Sequence, residues 1–201
     1  MEKFNKYQVI KKAVSYELAN FVFNYFLLKR DAIGFMLKNN IIAPNEMHGT
    51  WQDTQVPGVY SIYADHVMET LLMKVLPVMK EKTGLDLVPT YSYARVYEKG
   101  AILERHKDRP SCEISTTLNL GGSLWPIYLE PSGELNKKGT RIDLEPGDML
   151  IYSGCDLEHW REPFEGNVCG QVFLHYNHAN GPFAKTNLYD KRPLLGVPKL
   201  R

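Results

Sequence analysis

The chain has 201 residues, 44% hydrophobic and 23% charged, a size and balance that fit one soluble domain with a substantial core. The net charge of +1 supplies no broad field for nucleic acid or a membrane surface, so neither is expected as a partner. Cys112, Cys155 and Cys169 are odd in number and show no CxxC spacing, which argues against a disulfide framework and for free thiols in a reducing compartment.

The first residues, Met1 to Tyr7, lack the apolar core of a signal peptide, and no apolar run approaches a membrane span. The expected setting is therefore intracellular and cytoplasmic. Tyr7 to Val14 reads as a first strand. Ser15 is a suitable N-cap for a helix running to about Asn39. Its core face is predicted to carry Leu18, Phe21, Val22, Tyr25 and Phe26, with Gly34 bending or breaking it. Residues 40–58 contain Pro44, Gly49 and Pro57 and read as a long loop. Loops of that length are often lids, and the competing reading is a surface loop pinned by Trp51. A second helix is expected from about Asp65 to Lys82, with Val67, Met68, Leu71, Leu72, Val75 and Met79 inward. Pro77 should kink or divide it and Gly84 should stop it.

From Leu87 onward the period changes to two. In Thr90 to Tyr97, Tyr91, Tyr93, Arg95 and Tyr97 share one side, and Ser92, Ala94 and Val96 the other. Further strands are predicted at Ile114–Leu120, Leu124–Glu130, Thr140–Leu144, Met149–Tyr152 and Val168–Tyr176. Turn residues such as Gly121-Gly122 and Pro146-Gly147-Asp148 separate them. Helices followed by many short strands predict an antiparallel barrel or sandwich buttressed by two helices. The segment 180–201, with Pro182, Pro193 and Pro198, is expected to wrap the surface or be partly mobile.

The chemistry concentrates in Tyr97 to Asp108, which reads as a strand, a turn at Gly100, and a short strand ending in His106 and Asp108. An extended His-x-Asp places both side chains on one side. With His159 as third partner, two imidazoles and a carboxylate would cap one face of an octahedral ferrous ion and leave the other open. A bare His-x-Asp is common by chance, so its surroundings carry the weight.

Those surroundings are Tyr97-x-x-Gly100 before His106-x-Asp108, a strand ending Leu118-Asn119-Leu120-Gly121-Gly122, the run Leu144-x-Pro146-Gly147-Asp148-Met149-Leu150-Ile151-Tyr152, and then His159. This series resembles the prolyl 4-hydroxylase-like branch of the Fe(II)/2-oxoglutarate-dependent oxygenases over roughly residues 87–177. The resemblance implies a mainly β fold with supporting α-helices, a double-stranded β-helix or jelly roll with iron at its open end. It divides a single domain, 1–201, into helical support and a lid loop (1–86), a jelly-roll core (87–178) and a C-terminal tail (179–201). It assigns His106, Asp108 and His159 to the metal, with His175 and His178 as rivals for the third position. His159 is preferred because it lies just beyond a strand end.

The implied cofactors are Fe(II), 2-oxoglutarate as co-substrate and O2, with ascorbate as an accessory in some members. The family usually places an Arg or Lys about ten residues beyond the distal histidine, but Val168, Cys169 and Gly170 stand there. Arg161 is the preferred substitute, with Arg95 and Gln171 as alternatives and a surface salt bridge to Glu162 or Glu165 as its competing role. Tyr97 and Thr117 occupy positions of co-substrate hydroxyl contacts. Trp125, Trp160 and the 40–58 loop are candidates for the substrate wall, and Arg109 for guiding an anionic group or closing a loop, with a solvated charge as its competing reading. The implied reaction is hydroxylation of an unactivated C–H bond, first of a prolyl or other peptidyl residue, with release of succinate and CO2. The alternatives are a small-molecule hydroxylase, or a cupin-type metal-binding protein without oxygenase activity.

Overall fold

In the computed structural model, residues 4–199 are described. In chain order the elements are β1 (Tyr7–Ile10), α1 (Tyr16–Lys38), β2 (Tyr60–Tyr63), α2 (His66–Thr83), β3 (Leu87–Glu98), β4 (Leu103–His106), β5 (Ile114–Gly122), β6 (Ile127–Leu129), β7 (Thr140–Ile142), β8 (Met149–Ser153), β9 (His159–Arg161), β10 (Val168–His178) and α3 (Ala184–Asn187). Two antiparallel sheets form the jelly roll. The larger runs β1-β8-β5-β10-β3-β2 and the smaller β4-β9-β6-β7.

The helices begin where their caps dictate. Ser15 accepts from Leu18 N, and Asp65 accepts from Val67 N and Met68 N. Gly84, at φ 68°, ends α2 in the left-handed conformation that glycine adopts readily. Pro77 does not divide α2, and α1 runs on through Gly34, beside the Trp51 ring.

Both helices pack on the outer face of the larger sheet. Ala94 and Val96 of β3, Leu118 and Leu120 of β5, Met149 and Ile151 of β8, and Val172 and Leu174 of β10 form that interface. Because strand side chains alternate, the intervening residues of the same strands must face the smaller sheet. They include Tyr91, Tyr93, Arg95 and Tyr97 of β3, Ser115, Thr117 and Asn119 of β5, Tyr152 of β8, and Gln171, Phe173 and His175 of β10. One face of the sheet is thus apolar and helix-covered, and the other is polar and encloses the site.

Several sequence expectations need correction. Phe21 is 69% exposed, and the core face of α1 is instead Ala19, Val22, Phe23, Phe26 and Ile33. The first strand stops at Ile10, and β2 went unpredicted because a four-residue strand carries too little periodicity. The tail, by contrast, follows the wrapping alternative and is pinned to the body. Arg192 donates to Glu69 at 2.6 Å, and Asp190, 1% exposed, accepts from Tyr63, Arg109 and Ser111. Residues Tyr189, Asp190 and Lys191 all take left-handed φ values to make that turn. No helix among the described residues is long and apolar enough to cross a membrane.

Candidate active site

The pairing of β4 with β9 sets His106 directly opposite His159. The ring centroids are 4.2 Å apart. Asp108, two residues past β4, turns back beneath them, its N–H donating to the Gly154 carbonyl at 2.9 Å. Asp108 Oδ1 lies 3.7 Å from His106 Nε2 and 3.6 Å from His159 Nε2. One donor atom from each residue falls within 4.8 Å of the others.

Hydrogen bonding fixes which nitrogen each imidazole presents. His106 Nδ1 is 2.7 Å from the Glu104 carbonyl, and His159 Nδ1 is 3.1 Å from the Leu157 carbonyl. A carbonyl only accepts, so each Nδ1 carries a proton and each Nε2 turns to the common point. Burial, with the neighbouring His159, lowers the pKa of His106 and keeps that ring neutral. At Asp108 burial opposes ionisation, but the facing His159, His175 and His106 hold the carboxyl well below the usual carboxylate range. Two imidazoles and an ionised carboxylate are a donor set suited to Fe(II).

Behind this trio stands a second group that sequence reasoning assigned only in part. Ser115 Oγ lies 3.1 Å from Asp108 Oδ2 and 2.8 Å from His175 Nδ1. Burial pushes His175 down to about 4, so it is neutral at physiological pH. His175, Asp108 and Cys112 form another donor cluster sharing Asp108. His178 lies at the far end of β10, paired with Leu87, and joins neither cluster. Ser115 and His175 share the inward face of Thr117 and Phe173, so strand alternation carried the signal for both.

The candidate anchors separate clearly. Arg95 is buried but matched: its Nε donates to Asp53 at 2.7 Å, and its guanidinium reaches Gln55 at 2.6 Å and Tyr97 at 3.4 Å. Burial works against its charge, but Tyr97 and Asp53 hold its pKa above the ordinary range. Gln171 spends its amide on Thr117, Asn119 and Cys169.

Arg161 is neither on the surface nor paired with Glu162 or Glu165. It is 1% exposed and donates to the Trp125 carbonyl, with Thr117 Oγ1 at 3.5 Å. Its Nε has no hydrogen-bond partner, and no ion pair to it occurs among the described residues. Burial lowers its pKa, against opposing contributions from Cys169, Tyr97 and Tyr152. It lies on β9 two residues from His159 and does not itself line the cavity above that histidine.

A cavity of about 800 Å³ opens over His106, Asp108 and His159. Thr50, Asp53 and Gln55 of the 40–58 loop line one side, and Arg109 and Lys199 another. The loop is therefore both pinned, with Trp51 against Tyr60, and part of the cavity wall, held by Asp53 on Tyr93 and Arg95. Trp125 and Trp160 do not line it. Trp125 packs with Tyr97 and Phe164, and Trp160 stacks on Tyr128. Arg109 is no free charge, since both its terminal nitrogens meet Asp190 at 2.7 Å.

This double-stranded β-helix, closed by two antiparallel sheets and backed by two helices, is the fold of the Fe(II)/2-oxoglutarate-dependent oxygenases. Among solved structures, the chain is similar to a prolyl-4-hydroxylase from Pseudomonas putida, with a TM-score of 0.59 and 15% identity over 86% of this chain and 92% of that one. It is also similar to HygX from Streptomyces hygroscopicus, bound to nickel, 2-oxoglutarate and hygromycin B (TM-score 0.56, 12% identity, 88% and 84% covered). A third is EctD from S. alaskensis with bound Fe (0.57, 13%, 98% and 84%). No protein-family model and no curated protein matches the sequence.

Proposed function

We propose that residues 1–201 form a single Fe(II)- and 2-oxoglutarate-dependent dioxygenase domain that hydroxylates an unactivated C–H bond. The observation that carries this reading is the conjunction on β9. His159 turns its Nε2, with the Tyr152 hydroxyl at 3.5 Å, to the point shared by His106 and Asp108, and two residues later Arg161 is a buried cation with no carboxylate partner among the described residues. A buried charge without a counter-ion is costly, and an anionic co-substrate would supply one. The bound structures of HygX and EctD, with nickel, 2-oxoglutarate and Fe in their sites, support the same cofactor choice.

His106, Asp108 and His159 would hold the metal. Arg161, with Thr117 and Tyr97 beside it, would hold the far carboxylate of 2-oxoglutarate. When bound, iron and 2-oxoglutarate supply with O2 an oxidative decarboxylation that yields succinate and CO2 and hydroxylates the substrate. The chain's own part is orientation. The Glu104 and Leu157 carbonyls fix the imidazole tautomers, and Ser115 steadies the second oxygen of Asp108. The 40–58 loop and the inner tyrosines keep the site partly enclosed.

A prolyl or other peptidyl residue is the substrate class that the family resemblance favours. A small-molecule substrate is the second reading, and the cavity supports it. Walls on two sides and a volume of about 800 Å³ suit a compact ligand better than an extended peptide.

The test is an anaerobic absorbance titration of Fe(II) and 2-oxoglutarate into wild type, His106→Ala, His159→Ala and Arg161→Ala, followed by succinate release in air. A visible charge-transfer band in wild type, lost in both histidine variants, supports the assignment. No band at saturating iron would favour a metal-binding protein of the cupin type without oxygenase activity.

A further inference from the structure

Helix α1 has two apolar faces and the fold uses only one. Val22, Phe23 and Phe26 are buried against the larger sheet, whereas Phe21, Leu28 and Phe35 are 69%, 70% and 64% exposed. At about 100° per residue those three directions fall within about 40° of one another and point away from the core. Isolated exposed apolar residues are ordinary, but a line at seven-residue spacing is a seam, about 21 Å long at 1.5 Å per residue.

We propose that this face of α1 is the interface of a two-fold homodimer, with α1 packed antiparallel on α1 of a second copy. The sequence of the face is self-complementary. Phe21 and Phe35 are equally far from Leu28, so a two-fold axis at Leu28 stacks that residue on its equivalent and sets each Phe21 against the other copy's Phe35.

Charge selects the same arrangement. Glu17 and Lys38 are both exposed at opposite ends of the helix, and neither forms an ion pair among the described residues. They lie almost symmetrically about Leu28, so the axis brings each Glu17 beside Lys38 of the other copy, twice over. A parallel pairing would place Glu17 on Glu17 and Lys38 on Lys38, which repels. Self-complementarity of this kind is required of a second copy and not of an unrelated partner helix.

The test is sedimentation equilibrium of the full chain from about 1 to 100 µM, where a mass-action dimer shows its concentration dependence. The expected result is a wild-type dimer, a monomeric Leu28→Glu variant with an unchanged circular dichroism spectrum, and several-fold weaker association for Glu17→Lys. The double variant Glu17→Lys/Lys38→Glu should recover the wild-type association. Should Leu28→Glu fail to fold, Phe21→Gln/Phe35→Gln takes its place, since both side chains are already exposed. A wild-type monomer throughout that range would overturn the proposal. So would a dimer indifferent to these seam changes, or a double charge variant no tighter than Glu17→Lys alone.

Discussion

Arg161→Met should separate binding from stability, because the two respond in opposite directions. In the unliganded protein the guanidinium is fully enclosed, its charge unmatched by any carboxylate among the described residues, and burial already lowers its pKa. Methionine has similar reach and brings no charge. Removing an uncompensated buried charge relieves a penalty of several kcal/mol, while the Trp125 carbonyl loses its donor at a cost of about 1–3 kcal/mol. The unliganded variant should therefore be as stable as wild type or more stable by about 1–2 kcal/mol, read from urea unfolding.

Affinity for 2-oxoglutarate should move the other way. Two charge-assisted hydrogen bonds at about 1.5–3 kcal/mol each predict a loss of roughly 10²–10⁴-fold in the anaerobic titration. Arg95→Met gives the contrasting case. It strands Asp53, whose side chain is 8% exposed, so the protein should lose about 3–5 kcal/mol of stability. If instead Arg161→Met destabilised the unliganded protein by about 3 kcal/mol and left 2-oxoglutarate affinity intact, Arg161 would be a structural residue and the anchor assignment would fall.

Three further outcomes follow from the same geometry. Gly154→Ala would drive a methyl group into the Asp108 carboxylate and the Cys112 carbonyl, so Fe(II) affinity should drop at least tenfold while the fold persists; unchanged affinity by metal titration would contradict the placement of Asp108. Asp53→Asn should loosen the 40–58 loop from Tyr93 and Arg95, seen as faster proteolytic cleavage there and about 3 kcal/mol lower stability. Asp190 titrates with a definite sign. Burial opposes its charge, but Arg109, Lys199, Ser111 and Tyr63 depress its pKa below the unfolded value near 3.9. Its contribution is therefore full above about pH 5 and is lost as pH falls through the folded pKa. The stability gap between wild type and Asp190→Asn should be largest at neutral pH and shrink on acidification towards about pH 2, and a gap independent of pH would refute this.

What could be read from the sequence depended on whether a local pattern decided the question. The alternation at Tyr91–Tyr97 and the turn at Pro146-Gly147-Asp148 are local, and both appear where expected. The meeting of His106 and His159 depends on β4 pairing with β9, which no local period specifies. Its legibility came from the ordered series of motifs.

Arg161 was singled out from its place on the strand of His159, but its burial depends on β9 lying between β4 and β6, and that is a property of the sheet. Asp53 and Asp190 could not be found at all. Each is a carboxylate in an irregular segment, and its partner lies 42 or 81 residues away.

Helix α1 shows the limit most plainly. Apolar residues occur on both of its sides, and periodicity reports an apolar stripe without saying which neighbour will cover it. Choosing Phe21 over Phe23 for the core was an error of that kind. The residue placed inward by pattern alone stands at 69% exposure on the face that the fold leaves uncovered. The second stripe is consequently not a redundant core signal. Packing among the described residues does not cover it, and the proposed contact with a second copy would.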